Sequence, residues 1–274
     1  MQRIIDTDNL KNISKRLRER TIITSHKAGI PHLGSCLSCV EILVSLYWHA
    51  LNINPTDPEN KERDRFILSK GHGAPILFQV LAEKGFFKKD LLSDAGADGS
   101  YFHEHPPKPG YIPGIEAATG SLGHGFPIAL GMALSAKINK SSYYTYSLLS
   151  DGECNEGSVW EAAMLASSQK VNNLIAIIDY NKWQATGRSN EILSLSPLID
   201  KWNSFGWHSQ EIDGHDLNEI CESLNKAKSN LSQPSVIIAN TIKGKGVSFM
   251  EDDNNWHYRT PNKEELEEAL KELS

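Results

Sequence analysis

The sequence predicts an α/β fold, a parallel sheet with helices on both faces. Two observations carry this reading. From about residue 123 onward, short apolar runs alternate with stretches of helical apolar spacing, the pattern of successive βα units. The 274 residues are ample for a buried core, and no internal repeat, low-complexity tract or Gly/Ser linker divides them. One domain over 1–274 is the simplest organisation, with a helical N-terminal segment and a short C-terminal helix.

Leu10, Ile13, Leu17 and Ile22 are spaced for a first helix over 8–28. SCVE at 38–41 has the form of a capping box, which predicts a second helix through residue 51. RFILS at 65–69 is a short buried strand, and a helix follows over 74–84. From 93 to 119 periodicity gives way to Gly, Pro, His and acidic residues, a long loop of the kind that is usually functional or disordered. Beyond it the sequence predicts helix 123–138, strand 143–149, helix 157–168, strand 174–179 and helix 195–205. Strand 208–212, helix 217–229, strand 235–240 and a closing acidic helix over 263–273 complete the pattern.

Lys and Arg number 28 against 34 Asp and Glu, a mildly acidic balance that argues against nucleic acid as a main partner. The N-terminus MQRIIDTDNLKNISKRLRER is charged where a signal peptide needs an apolar core. No run of about 18 apolar residues is long enough to span a membrane, so a cytoplasmic protein with no membrane partner is expected. Cys36 and Cys39 form a CxxC without a second pair or a histidine pair at ligand spacing, and Cys154 and Cys221 stand alone; reduced structural thiols are the expectation.

In an open parallel sheet, ligands bind outside the carboxyl ends of the strands. Asp151 follows one predicted strand, and Asn181 follows the next. An Asp carboxylate, an Asn amide oxygen and a backbone carbonyl form a hard, oxygen-only set suited to Mg²⁺ or Ca²⁺, and Mg²⁺ with so few protein ligands completes its octahedron with phosphate oxygens and water. A diphosphate-bearing cofactor is the physical expectation, with Gly152 allowing close backbone approach and the following helix offering free N–H donors. Taken singly, Asp151 is also a good helix cap and Asn181 a good turn residue. Gly244 and Lys245 do not make a P-loop, because the position five residues before Gly244 is Ala239, and GSLGHG is not GxGxxG after a strand, which disfavours a nicotinamide dehydrogenase.

The span from DGECNEGSVWEAA to NNLIAIIDYNKWQATG resembles the thiamine diphosphate signature of transketolases. HLGSCLSCVEILVSLYW, RDRFILSKGHGAPI, PGIEAATGSLGHG and NTIKGKGVSFMEDDNNWH agree with that family in order, over nearly the whole chain. The match is to the separately encoded N-terminal half of split transketolases.

The resemblance implies thiamine diphosphate and Mg²⁺, with Ca²⁺ or Mn²⁺ as substitutes. Asp151, Asn181 and the carbonyl of Trp183 would hold the metal. His72, Gly120, Leu122, Gly152, Glu153 and Asn181 would contact the cofactor. His32, His105 and His257 would be the active-site imidazoles, suited to sugar hydroxyls because a neutral imidazole donates or accepts near neutral pH. His105 fits the family's Gly-His-Pro, with His103 only two residues away. His26, His49, His208 and His215 keep an ordinary structural reading. Departures from the family pattern are Ser150 for Gly, Pro31 and Leu33 around His32, and His124 for Gln.

By the same resemblance, the activity is transfer of a two-carbon ketol unit from a ketose to an aldose, acting on sugars or sugar phosphates. The Glu that activates the cofactor belongs to a pyrimidine-binding half outside this chain. A C-terminal partner subunit, an α2β2 heterotetramer and no catalysis by this chain alone are therefore expected. Two other readings are a related thiamine-dependent subunit for an unusual sugar, and a non-catalytic scaffold.

Overall fold

The computed structural model describes residues 5–274. Its strands are β1 (Arg65–Leu68), β2 (Thr145–Ser150), β3 (Leu174–Tyr180), β4 (His208–Asp213) and β5 (Ser235–Asn240). Its helices are α1 (Thr7–Ala28), α2 (Leu33–Ser38), α3 (Val40–Ser45), α4 (Ala74–Lys84), α5 (Gly125–Asn139), α6 (Gly157–Ser168), α7 (Ser189–Ile192), α8 (Leu198–Ser204), α9 (Leu217–Ser229) and α10 (Lys263–Leu273).

All strand pairs are parallel, in the order β1-β2-β3-β5-β4. Successive side chains of a strand point to opposite faces. Phe66, Leu68, Tyr146, Leu148, Ile175, Ile177, Ile237 and Ala239 accordingly share one core with apolar residues of α1, α3, α4 and α9. Ile67, Leu149, Ala176, Ile178, Val236 and Ile238 share the other with α5, α6 and α8. The central strands are buried on both sides, which is why they read as unbroken apolar runs; edge strand β4 is half exposed. A third cluster, with Ile22, Leu33, Leu37, Val247, Met250, Trp256 and Ala269, packs the segment after β5 and α10 against α1 and α2.

The predicted capping box at 38–41 does not form. In place of one helix from Ser38, α2 ends there, α3 starts at Val40, and a π-helical turn covers Leu46–Ala50. Ser38 Oγ donates to the Asp179 carboxylate at 2.5 Å, and Glu41 accepts from Arg18 at 2.9 Å. Buried tertiary partners outweigh the local cap. The predicted 195–205 helix is shorter (α8), and a single turn, α7, precedes it.

Candidate active site

The carboxyl ends of the strands form a crest of buried polar residues. Asp151 leaves β2 fully buried. Its Oδ1 accepts from Gly152 N at 2.9 Å, and its Oδ2 from Lys182 N and Ser189 Oγ, each at 2.8 Å. Lys182 lies between Asn181 and Trp183, so this bond seats the loop after β3 on the β2 end. Asn181 is 3 % exposed, and its Oδ1 accepts from Trp183 N at 3.1 Å. Asp151 and Asn181 thus stand buried just past the ends of the paired strands β2 and β3, joined through the Lys182 N–H, with the Trp183 backbone next in the chain.

Burial pushes Asp151 up to about 7 against the pull of the Ser189 hydroxyl. A buried carboxylate whose bonded partners are all neutral donors fits a divalent cation, and the oxygen chemistry of the set suits Mg²⁺. Asp151 acts as a local cap through Gly152 N.

Glu153 is also fully buried. Its Oε1 accepts from Ser69 Oγ and from Gly123 N at 2.9 Å, while Oε2 is buried without a hydrogen-bond partner among the described residues. Burial pushes this carboxyl up to about 7. Its contacts tie the 119–124 loop, which carries Gly120 and Leu122, to the ends of β1 and β2; Thr119 Oγ1 adds a bond to Leu68 O at 2.7 Å. Ser150 fits without strain as the last residue of β2, where its hydroxyl accepts from Glu153 N at 3.2 Å. Gly71 is required where it stands, because a Cβ there would lie 2.6 Å from Gly120 N and Thr119 C.

Four of the predicted histidines meet. The His32 ring centroid lies 5.5 Å from His72, 6.0 Å from His105 and 5.0 Å from His257. His32 has left-handed backbone (φ 67°), held by its N–H to His257 O at 2.8 Å, while Leu33 anchors in the third core. Non-Gly residues in this region are uncommon and cluster where surrounding structure over-determines them. Burial lowers His32 to about 4 and, with Lys243 beside it, His257 to about 3. Both rings are thereby held neutral near pH 7, with His257 Nδ1 facing the Lys243 ammonium at 3.0 Å. His105 joins the cluster, with Gly120 close beneath its ring, whereas His103 is exposed.

The other histidines lie elsewhere. His26 Nδ1 is 2.7 Å from Pro261 O, and His49 Nε2 is 3.1 Å from Asn225 Oδ1. His208 opens β4 at the amino end of the sheet. His215 bridges Glu41 (3.1 Å) and Ile242 N (2.9 Å) in a network with Arg18. His124 is exposed at the start of α5, its Nδ1 3.1 Å from Leu122 O.

Sequence reasoning passed over a charged core beneath this crest. Lys70 and Asp179, both 0 % exposed, form an ion pair. Lys70 Nζ also donates to Ser35 O at 2.8 Å, and Asp179 accepts from Ser38 and Thr241. Burial opposes the Lys70 charge, but Asp179 outweighs it and raises the ammonium. The signal was present in LIAIIDY, a charge inside a strand buried on both faces. Lys243 was also missed. It is fully buried, lies 3.0 Å from His257 Nδ1 and donates to Asn254 at 2.7 Å; burial and the Lys70 charge lower it to about 8.

A clasp holds the loop after β3 against the segment carrying His257. Arg188 makes two 2.6 Å bonds to Asp252 and stacks 3.8 Å over Trp183, whose Nε1 donates to Asp252 at 2.8 Å. Asn254 Nδ2 adds a bond to Ala185 O at 3.0 Å. All four cysteines are free and buried, and burial pushes Cys36 and Cys39 up to about 12. No group of three or more His, Cys, Asp or Glu able to hold a metal occurs among the described residues.

Comparison with known proteins gives this crest its family. Residues 10–273 match the family model described as transketolase, thiamine diphosphate binding domain. One subunit of the apulose-4-phosphate transketolase of Phocaeicola vulgatus is 39% identical over 98% of this chain and 95% of its own. The 6-deoxy-6-sulfo-D-fructose transketolase subunit SqwG of a Clostridium species is 42% identical over 98% and 96%. The solved transketolase of Campylobacter jejuni superposes with a TM-score of 0.92 at 29% identity over 98% of this chain, which spans 43% of that enzyme's length. The chain belongs to the transketolase family of transferases, as a subunit built on its thiamine diphosphate-binding domain.

Proposed function

We propose that this chain is the N-terminal subunit of a two-chain, Mg²⁺-dependent transketolase that moves a two-carbon ketol unit from a ketose to an aldose. The observation that carries the reading is the placement of buried Asp151 and Asn181 at the ends of neighbouring strands, joined through Lys182 N, in a fold that also gathers His32, His72, His105 and His257. Relatives named as subunits, matched over 95% and 96% of their own lengths, support the two-chain form. The family match over 10–273 and a single sheet support one domain. Among the described residues no helix is long and apolar enough to cross a membrane; a cytoplasmic location is part of the proposal.

In this reading Asp151, Asn181 and the Trp183 carbonyl hold Mg²⁺, and Gly152 lets the diphosphate approach the backbone. Gly120 and Leu122, on the loop pinned by Glu153, shape the cofactor's flank with His72. Thiamine diphosphate, when bound, supplies the electron sink for breaking the carbon–carbon bond. His32, His105 and His257 orient the sugar hydroxyls and hold or move their protons. The partner is a pyrimidine-binding C-terminal subunit, in an α2β2 assembly.

A second reading, favoured by the relatives' names, narrows the substrate to an uncommon sugar such as apulose-4-phosphate or 6-deoxy-6-sulfo-D-fructose. The test of the main proposal is calorimetry of the chain mixed with its C-terminal partner. Thiamine diphosphate should bind in Mg²⁺ and not in EDTA, and Asp151→Ala should abolish that binding. Equal affinity in EDTA, or in the variant, removes the metal site from the proposal.

A further inference from the structure

Glu104 stands at the open side of the histidine cluster, with its side chain 45 % exposed. Its Oε2 is 3.6 Å from His32 Nδ1, and its Oε1 is 4.0 Å from His105 Nδ1. One carboxylate therefore faces the same nitrogen of two rings whose centroids are 6.0 Å apart. His32 Nδ1 is buried and has no hydrogen-bond partner among the described residues, so the group facing it is this carboxylate, a small side-chain rotation short of bonding distance.

We propose that Glu104 is a specificity-determining residue that makes the His32–His105 pair an acceptor surface for neutral hydroxyls and turns away an anionic substituent. An ionised carboxylate only accepts, so it favours the proton on Nδ1 of both rings. In a neutral imidazole the opposite nitrogen, Nε2, is then an acceptor. Burial keeps His32 neutral, so that ring cannot offset the negative charge beside it. Of the ammonium groups nearest the cluster, Lys70 is charge-paired with Asp179, and Lys243 stands at His257 Nδ1 and donates to Asn254, so the charged group facing Nδ1 of both His32 and His105 is Glu104. A hydroxyl entering here finds acceptors; a carboxylate or phosphate finds acceptors and a like charge.

The inference about substrates rests on the ketol-transfer reading, but the tautomer assignment does not. In the reconstituted two-chain enzyme, kcat/KM is measured for glycolaldehyde and glyoxylate as acceptors, two-carbon aldehydes that differ in hydroxymethyl against carboxylate. The wild type should prefer glycolaldehyde, and Glu104→Gln should move the ratio toward glyoxylate by about tenfold, roughly the effect of one like-charge contact screened by water at this half-exposed carboxylate. Glu104→Asp, which keeps the charge, should retain the wild-type preference. A ratio unchanged in Glu104→Gln overturns the proposal.

Independently, ¹⁵N NMR of histidine in the full chain should show His32 with its proton on Nδ1, and a mixture of tautomers in Glu104→Gln. A wild-type His32 protonated on Nε2, or a spectrum indifferent to the substitution, also overturns it. If no ketol transfer occurs while the tautomer shift is seen, the functional proposal falls and the role of Glu104 in setting the imidazoles stands.

Discussion

Replacing Asp179 by Ala strips the counter-charge from an ammonium that has no access to water. Lys70 and Asp179 are both 0 % exposed, and the carboxylate also takes bonds from Ser38 and Thr241. Breaking one side of a buried pair costs about 3–5 kcal/mol, because the survivor stays buried and uncompensated, and a fold of this kind is stable by only about 5–15 kcal/mol. At about 3 kcal/mol per molar urea, the upper end for a chain this long, a loss of about 4 kcal/mol lowers the unfolding midpoint by about 1.3 M. The double variant Lys70→Met with Asp179→Leu replaces both charges by apolar groups and should return to within about 2 kcal/mol of the wild type. Urea unfolding followed by circular dichroism decides the matter. A midpoint shift under about 0.3 M for Asp179→Ala, or a double variant no better than the worse single one, would refute the argument that the pair is an all-or-none unit.

Acid should weaken the chain through its histidine cluster. His32 and His257 fall from 6.5 to about 4 and about 3, so the unfolded chain binds more protons below pH 6.5; stability is full above 6.5 and is lost as pH falls toward the folded values. At pH 5 the shifts correspond to about 2 kcal/mol each; halved for solvent screening, they predict a loss of about 2 kcal/mol for the pair relative to pH 7.5, and unfolding curves equally stable at both pH values would contradict it. Gly71→Ala places a methyl 2.6 Å from the backbone of Thr119 and Gly120, and should cost about 1–3 kcal/mol while weakening thiamine diphosphate binding. Calorimetry showing an unaltered affinity would separate Gly71 from the cofactor loop.

The sheet was readable because its inner strands are buried on both faces. LIAIIDY and SVIIAN leave no helical spacing to confuse them, and β3 and β5 fall within a residue of expectation. The strand-end rule found Asp151 and Asn181, since a crest position depends on where strands stop. What failed was local chemistry with distant partners. Ser38 and Glu41 have cap spacing, but Ser38 is bonded to a residue 141 positions away and Glu41 to one 174 away. The meeting of His32, His72, His105 and His257 has no local periodicity at all; only the family resemblance pointed to it. Glu104 was invisible for the same reason, because its meaning lies in which two rings it faces.

The buried, unpaired cysteines turn the chain into its own reporter. Cys36, Cys39, Cys154 and Cys221 sit in three-dimensional contexts that include α2, the edge of α3, the turn after β2 and α9. A thiol reagent added to the native protein therefore meets no accessible sulfur, and each labelling event must wait for its own element to open. The four labelling rates, read by mass spectrometry, would chart where the molecule breathes first, without the introduction of a single probe.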